Sequence, residues 1–578
     1  MSTLKERLKQ AEQLQNKRSF WNPMYQLIGE YFFQRKATFL LKREDGAFLD
    51  DGQITDSTGT LALTTMASAL LGLLWPSGGR SIRAVAPYFI SDKDENKKYF
   101  EYFTKQLTNF LDRPKARMLP VLGEYMLEEG AFGTTGIGVF EEDDYSDPLL
   151  FKAFSLTGLY IREGKNSEVD IVVYAEEVEY ARLVADYGEE NVHPTIRKAY
   201  KATPDAKVTI VTTLMPRTEA ERKGKKGMLG MPYALYVDDK SNNYEVFEGG
   251  YTEMCIRVPR FNKLPDETQG RSPAMNALPT QMEACRVAEA YRVGVEKKAE
   301  PPLMVLNDGS LGPEEIDTSA GAINVFNITN RIQSSLPPVS PVMDVGELQS
   351  TTQYLGELRQ QILGHFLIDR LLDLNNKTRM TYGEAQIRLG IRNDSLNTIL
   401  ARQKAECFVP LIERAVAILF EKGLLGVVQG SKQEKALLER GITPYYVPPE
   451  VLAAIAAGMD FYDIVFISPA ERMLRNEEVE GLTAIMNQAI ARMAVDPEAM
   501  DLIDGDNYTK LLSDILNVNP MVLRAQDKVD ELRVSRAQQR QRMMDAEMQA
   551  QQASSAQSTG QAMASVASAN KLKAEAAA

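Results

Sequence analysis

Cysteine and histidine are scarce, with three of the former and two of the latter in 578 residues. Cys255, Cys285 and Cys407 are far apart, odd in number and free of any CxxC spacing. Neither a disulfide framework nor a zinc site is indicated. His193 and His365 are too separated to build a metal cluster, and a structural or surface role is assigned to each. A basic excess is also missing. The formal net charge is −13, whereas a protein that grips nucleic acid along its length usually carries a basic face. The whole molecule is therefore not a DNA clamp, although local basic patches remain open. No long hydrophobic run occurs. The most apolar stretch, 61–75, is interrupted by Thr64, Thr65, Ser68 and Gly72. A membrane span needs roughly 20 apolar residues, so this stretch is predicted to be a buried helix. Residues 1–17 are charged throughout and lack the apolar centre of a secretory leader. The chain thus reads as cytosolic, with no membrane partner.

Catalytic signatures are missing as well. Gly130, Gly133, Gly136 and Gly138 form a glycine-rich run without the G-x-G-x-x-G order. No Walker GK[ST], HExxH or G-x-S-x-G occurs. The many carboxylates carry no signature of an acid/base pair. Catalytic residues, metal ligands and cofactors are all predicted to be none, and an ATPase or nuclease has little support.

What is present is enough apolar material for more than one core, since 44% of the residues are hydrophobic and single cores stop growing near ~250–300 residues. The N-terminal region reads as helical. Thr3 and Glu6 fit a capping box, Asn22-Pro23 fits an N-cap followed by proline, and Asp56 or Ser57 could cap the helix ending at Trp75-Pro76. Another helical stretch covers about 94–128, broken near Pro114. The pattern then changes. Short β-branched or aromatic runs at 136–140, 159–162, 169–174, 208–214, 233–237 and 244–247 predict a mostly antiparallel sheet. A long helix is predicted from Pro273 to Lys298, ended by Pro301-Pro302. Strand candidates follow at 303–306 and 323–326. A second long helix covers about 344–374, the polar break 375–379 follows, and a third helix runs from about 381 to 422 with a kink at Pro410. Residues 550–578 are rich in Gln, Ala and Ser and are predicted to be a low-complexity, mobile tail. The fold class is α+β, mainly helical.

The informative arrangement is long helix, small β-rich insert, long helix, polar loop, kinked helix. On the second helix Leu355, Leu358, Ile362 and Phe366 occupy one side, and Leu363, Leu367 and Leu371 another. Such a wide apolar arc needs several covering neighbours, which copies arranged in a ring can supply.

Four segments in order carry a resemblance. They are Gly270-Arg271-Ser272-Pro273-Ala274-Met275-Asn276-Ala277-Leu278-Pro279 with Pro301-Pro302 beyond it; Arg379-Met380-Thr381 leading into Glu384-Ala385; Phe466-Ile467-Ser468-Pro469-Ala470; and Asp501-Leu502-Ile503-Asp504 near Pro497. The chain resembles the head-to-tail connector, or portal, family of short-tailed DNA phages. Two departures mark a divergent branch: Gln269 stands where the family usually has Tyr, and Tyr382-Gly383 where it has an alanine–threonine pair.

The resemblance implies a portal-type subunit assembling as a ring, the dodecamer of that family, at one capsid vertex of the virion. It implies N-terminal helices and a β-rich wing over 1–272, a first stem helix over 273–299 and a clip over 300–343. A second stem helix over 344–372, a tunnel loop over 373–380 and a kinked wing helix over 381–423 follow. Wing completion and crown occupy 424–549, and the tail 550–578. The implied partners are duplex DNA in the channel, the terminase large subunit, a tail adaptor, and the major capsid and scaffolding proteins. The candidate DNA-facing residues are Asn375, Asn376, Lys377, Thr378 and Arg379 in the tunnel loop, with Lys297 and Lys298 near the stem–clip junction; an exposed cation or an intersubunit ion pair is the competing role for each. Asp308, Glu314, Glu315 and Asp317 are the candidate clip surface, where strands 303–306 and 323–326 could also pair between subunits. A helical scaffolding or adaptor protein is the alternative, which the β-rich regions disfavour.

Overall fold

The computed structural model describes residues 3–33, 38–40, 54–76, 81–91, 93–307, 317–327, 339–342, 346–371, 396–467, 469–493, 503–515, 522–524 and 526–575. It is α+β and mainly helical.

Helix α1 (Leu4–Arg18) starts at the expected box, in which Thr3 N donates to Glu6 at 2.8 Å and Glu6 N donates back to Thr3 at 3.4 Å. Helix α2 (Asn22–Ile28) has Trp21 at its N-cap position and no side-chain cap, so Asn22 is the first helical residue rather than the cap. Helix α3 (Thr58–Leu74) is the predicted buried apolar helix. Ser57 occupies its cap position without bonding, and Asp56 supplies the acceptor for Thr58 N at 2.9 Å. No described helix is long and apolar enough to cross a membrane. Strand β1 (Ile82–Val85) precedes α4 (Asp94–Leu111) and α5 (Met118–Phe132), whose separation at Pro114 matches expectation.

Strands β2 (Gly136–Glu141), β3 (Leu149–Phe154), β4 (Leu159–Glu163) and β5 (Val169–Glu179) follow, then α6 (Tyr180–Tyr187) and α7 (Pro194–Ala199). Next come β6 (Lys207–Pro216), α8 (Glu219–Arg222), β7 (Tyr233–Asp239), β8 (Tyr244–Tyr251) and β9 (Ile256–Arg257). Strands β4 to β8 form an antiparallel five-stranded sheet in sequence order, while β2 lies between β3 and β9 in a separate sheet. Alternation fixes the two faces of the larger sheet. Tyr160, Ile171, Val173 and Val211 pack against Leu8, Ala11 and Leu14 of α1. Val178, Val208, Ile210, Val237 and Val246 pack against Leu183, Val192 and Ile196 from α6, the following turn and α7.

The long helix α9 (Pro273–Ala299) forms at its predicted bounds. Strands β10 (Leu303–Asn307), β11 (Ile323–Asn327) and β12 (Val339–Pro341) make a small sheet in the order β11-β10-β12. The second long helix is shorter than expected. It comprises α10 (Gln349–His365) and a single turn, α11 (Ile368–Leu371). Leu367 between them is left-handed at φ 57°, a conformation that a side-chain-bearing residue adopts at a cost. Leu355, Leu358, Ile362 and Phe366 are buried within this one chain, so other copies are not needed to cover that side. Residues 396–403 are helical and lead into a π-helical turn, Lys404–Phe408, before the helix Val409–Glu421. The expected kink therefore takes the form of a register change: Pro410 has no N–H to offer, and the wider turn before it absorbs the loss.

Strand β13 (Asp463–Phe466) pairs antiparallel with β1, returning the chain to its beginning. The helices Pro469–Met493, Gly505–Ile515 and Gln526–Glu575 complete the order. The last one gives the low-complexity tail a helical form over 550–575. Alanine and glutamine are good helix formers, so low complexity here coincides with helical propensity.

Candidate functional site

The two long helices and the small sheet that joins them form the most distinctive unit. Helix α10 runs back alongside α9. Near the sheet, Lys298 Nζ donates to Gly346 O at 3.2 Å; further along, Tyr354 OH donates to Glu283 at 2.6 Å. At the opposite end Arg359 Nε meets Asp56 at 2.8 Å. Burial would raise the Asp56 carboxyl, but hydrogen bonds from Thr58 and Arg359 outweigh it and hold it below the usual range. Gln281 of α9 is fully buried and joins the same knot, accepting from Gly59 N at 3.1 Å and donating to Asp56 O at 2.7 Å. The helix pair is thus fastened at one end to α3 and carries its small sheet at the other.

The segment 270–279 is the seam that starts α9. Gly270 lies against the backbone of Gly133, where a β-carbon on either residue would meet the other segment. Gly270 N donates to Thr134 at 2.7 Å. Ser272 Oγ donates to Ala131 O at 2.6 Å and accepts from Met275 N at 3.1 Å, capping α9. Arg271 pairs with Glu267 and lies over the Trp21 ring. Gly270 and Ser272 thus join the start of α9 to the C-terminal end of α5, while Arg271 ties it to Trp21.

A second polar junction, which sequence reasoning did not single out, sits on the other side of α5. Glu129 is buried and accepts from Gln403 Nε2 at 2.7 Å, while Tyr125 OH donates to Gln403 Oε1 at 2.6 Å. Burial pushes the Glu129 carboxyl up to about 8, despite the hydrogen bonds from Gln403 and Tyr125. Burial likewise raises the thiol of Cys407 and the hydroxyl of Tyr125. One turn on, Glu406 accepts from Arg260 Nε at 3.1 Å, and Arg260 also pairs with Glu163. These contacts fix the π-helical turn between α5 and the sheet strand β4. A carboxylate in the apolar run 125–132 was the available signal.

Of the predicted site residues, Asn375, Asn376, Lys377, Thr378 and Arg379 lie outside the described residues, as do Asp308, Glu314 and Glu315. Lys297 and Lys298 stand on the last turn of α9, half-buried and exposed respectively. Asp317 is exposed and builds a turn: its Oδ1 accepts from Ser319 N at 2.8 Å, and its N–H donates to Asn324 at 2.7 Å. Leu303–Asn307 is the central strand of the small sheet, paired with β11 in parallel and β12 in antiparallel. Residues 303–305 are thus flanked on both sides within the chain, and among the described strands β11 and β12 hold the outer edges. Ile323 and Val339 on them are exposed. Among the described residues no group of three His, Cys, Asp or Glu could hold a metal ion.

The family model described as bacteriophage head to tail connecting protein matches residues 4–523. The portal protein of Salmonella phage epsilon15 is 23% identical over 551 residues, covering 93% of this chain and 92% of that protein. A probable portal protein of Bordetella phage BPP-1 is 23% identical over 567 residues, covering 95% and 94%. Among solved structures, a chain from the neck of an empty gene transfer agent particle is 10% identical with a TM-score of 0.33, covering 68% of this chain and 91% of that one. A chain of the native gene transfer agent virion is 10% identical with a TM-score of 0.28, covering 67% and 90%.

Proposed function

We propose, from the premise that this chain belongs to the bacteriophage head to tail connecting protein family, that copies of it close into a ring whose axial channel passes duplex DNA into and out of the capsid. It is a portal, or connector, subunit of a virion. The observation that carries the channel reading is the antiparallel pair α9 and α10, fastened at Asp56 and bearing a small sheet at its free end. In this reading the pair is the stem, 300–343 the clip, 373–380 the tunnel loop, and the five-stranded sheet with the helix Val409–Glu421 the wing. The C-terminal helices form the crown.

The clip faces the terminase motor during packaging and the tail adaptor afterwards, and the wing meets capsid and scaffolding proteins. Assembly takes place in the host cytoplasm. The subunit acts as a structural part, with no catalytic step of its own. Net negative charge suits passage, because each neutralised phosphate strengthens salt-dependent binding and slows sliding DNA. Sparse cations, Lys377 and Arg379 with Lys297 and Lys298, touch the phosphates. Asp308, Glu314, Glu315 and Asp317 give the clip an acidic surface, and β11 of one copy and β12 of the next are the edges open to pairing.

Negative-stain electron microscopy with mass determination tests the reading. Closed rings of about twelve copies with an axial hole support it, since heterologous contacts close only when the rotation fits. A homogeneous monomer or irregular rods at assembly concentrations would sink it and favour the scaffold or adaptor alternative. Alanine at both Lys377 and Arg379 is expected to impair DNA retention; unchanged packaging and retention would remove those two residues from the channel's contacts.

A further inference from the structure

The helix Gln526–Glu575 carries a charge pattern unlike the acidic chain around it. Residues 533–542 contain Arg533, Arg536, Arg540 and Arg542 and no carboxylate, with Asp530 and Glu531 before them and Asp545 and Glu547 after. Spacings of three and four put Arg533, Arg536 and Arg540 on one helix face. At ~1.5 Å per residue they span about 10 Å. Every residue from 530 to 550 is exposed. Arg533 is bound to Asp506 at 2.6 Å, which ties the start of the block to the helix Gly505–Ile515. Arg536 and Arg540 form no ion pair with any described residue.

Their own helix does not compensate them. The positions three and four away from Arg536 and Arg540 hold Arg533, Leu532, Gln539, Ala537, Met543 and Met544, and each other. Like charges four apart destabilise a helix by a few tenths of a kcal/mol, so the block gains from an anion that its own helix does not supply. In a ring generated by rotation alone, every copy presents the same arginines at the same height, and the blocks add rather than cancel. A linear polyanion on the ring axis meets all of them.

We propose that Arg536 and Arg540 are phosphate contacts, forming with their symmetry mates a basic collar for duplex DNA in an otherwise acidic molecule. The collar rests on the portal reading above. It would hold the packaged end without resisting movement over the rest of the channel, because basic charge is confined to one level.

The test uses full-length assembled protein and a labelled duplex of about 40 base pairs, with affinity measured by anisotropy over a salt series, since the slope of log K against log salt counts phosphates at ~0.9 each. A level ~10 Å tall faces about six duplex phosphates, one per ~1.7 Å, and the double variant Arg536→Gln/Arg540→Gln removes the collar from every copy, so it is expected to reduce that slope by about 5 and to weaken binding at least tenfold near ~0.1 M salt. Lys223→Gln/Lys226→Gln, in the exposed basic loop between β6 and β7, serves as the control and is expected to match the unmodified protein. An unchanged slope in the arginine variant, or an equal loss in the control, overturns the collar. So does tighter binding of polyglutamate than of duplex through the same arginines, which would assign the block to an acidic protein partner. Electron microscopy of the same samples separates the two ideas. Rings without arginine-dependent DNA affinity refute the collar alone, whereas failure to form rings refutes the portal reading.

Discussion

The five-stranded sheet and the C-terminal helix are opposite solutions to the same problem of what covers a secondary element. The sheet is covered on both faces by its own chain, α1 on one side and α6 with α7 on the other. Even its charges are internal. Arg7 is buried in α1, bonds Asp238 at 2.9 and 2.7 Å and Glu245 at 2.6 Å, and lies 4.0 Å over the Tyr236 ring. Arg18 likewise donates to the carbonyls of Leu156, Thr157 and Leu159. The C-terminal helix runs 50 residues and exposes every residue described from 530 to 550 and 561 to 571. Met543, Met544, Met548, Met563 and Val566 are among them. An isolated helix gains most of its stability from packing rather than propensity. The comparison teaches that the sheet is complete as a monomer and the helix is built for surroundings the monomer lacks. The stem pair lies between these extremes, anchored in the core at Asp56 but carrying a small sheet with exposed residues on its edges.

The comparison can be broken most severely at the seam that joins the two kinds of region. Gly270→Val is expected to cost about 3 kcal/mol or more, since a side chain there collides with the Gly133 backbone and cannot be accommodated by a rotamer change. Urea denaturation of the purified chain measures it, and a loss below ~1 kcal/mol would show that the seam relaxes. Asp238→Ala comes next. It removes both Asp238 bonds from the buried Arg7, and an expected loss of about 3 kcal/mol follows from an undercompensated buried charge. The same denaturation series checks it, with the double variant Arg7→Met/Asp238→Leu recovering much of the loss.

Glu129→Gln probes the π-helical junction through pH. The Glu129 carboxyl titrates near 8 when folded and near 4.5 when unfolded. The folded state thus holds a proton that the unfolded state releases over this window. Stability from Glu129 is full below about pH 4.5, falls as pH rises towards 8 and then levels off. The glutamine variant is expected to lose this decline, ending more stable than the unmodified chain at pH 8 by on the order of a few kcal/mol. Parallel pH profiles for the two chains would argue for an ordinary carboxylate. The smallest effect sharpens the contrast from the other side. Deleting 551–578 is expected to leave the monomer's unfolding midpoint unchanged, because residues 561–571, whose burial is described, are all exposed. A clear drop in scanning calorimetry would mean that the helix is covered in the monomer after all.

Several features were legible in the residues themselves. The box at Thr3 and Glu6, the helix bounded by Ser272-Pro273 and Pro301-Pro302, and six strands of β-branched and aromatic runs all formed as read. Each depends on local rules: capping, missing N–H groups and period-two alternation. Strands β1, β3, β9, β12 and β13 were not seen. They span 2 to 6 residues, and β1 exists only by pairing with β13 nearly 400 residues away. Nor did low complexity at 550–575 point to helix, since composition signals missing packing and says little about helical propensity. The tunnel-loop residues 375–379 lie outside the described residues and keep the standing of a proposal.

By itself the sequence determined the fold class, the order of long helix, small sheet and long helix, and the family, because caps, breakers, periodicity and motif order are properties of neighbours along the chain. Tertiary structure alone decided which charges are internal and which remain free. Arg7 and Arg18 are the same residue type as Arg536 and Arg540, yet the first two have carboxylate or carbonyl partners within this chain. The physical reason is that a charge is satisfied by what folds against it, and distance along the chain carries no information about that.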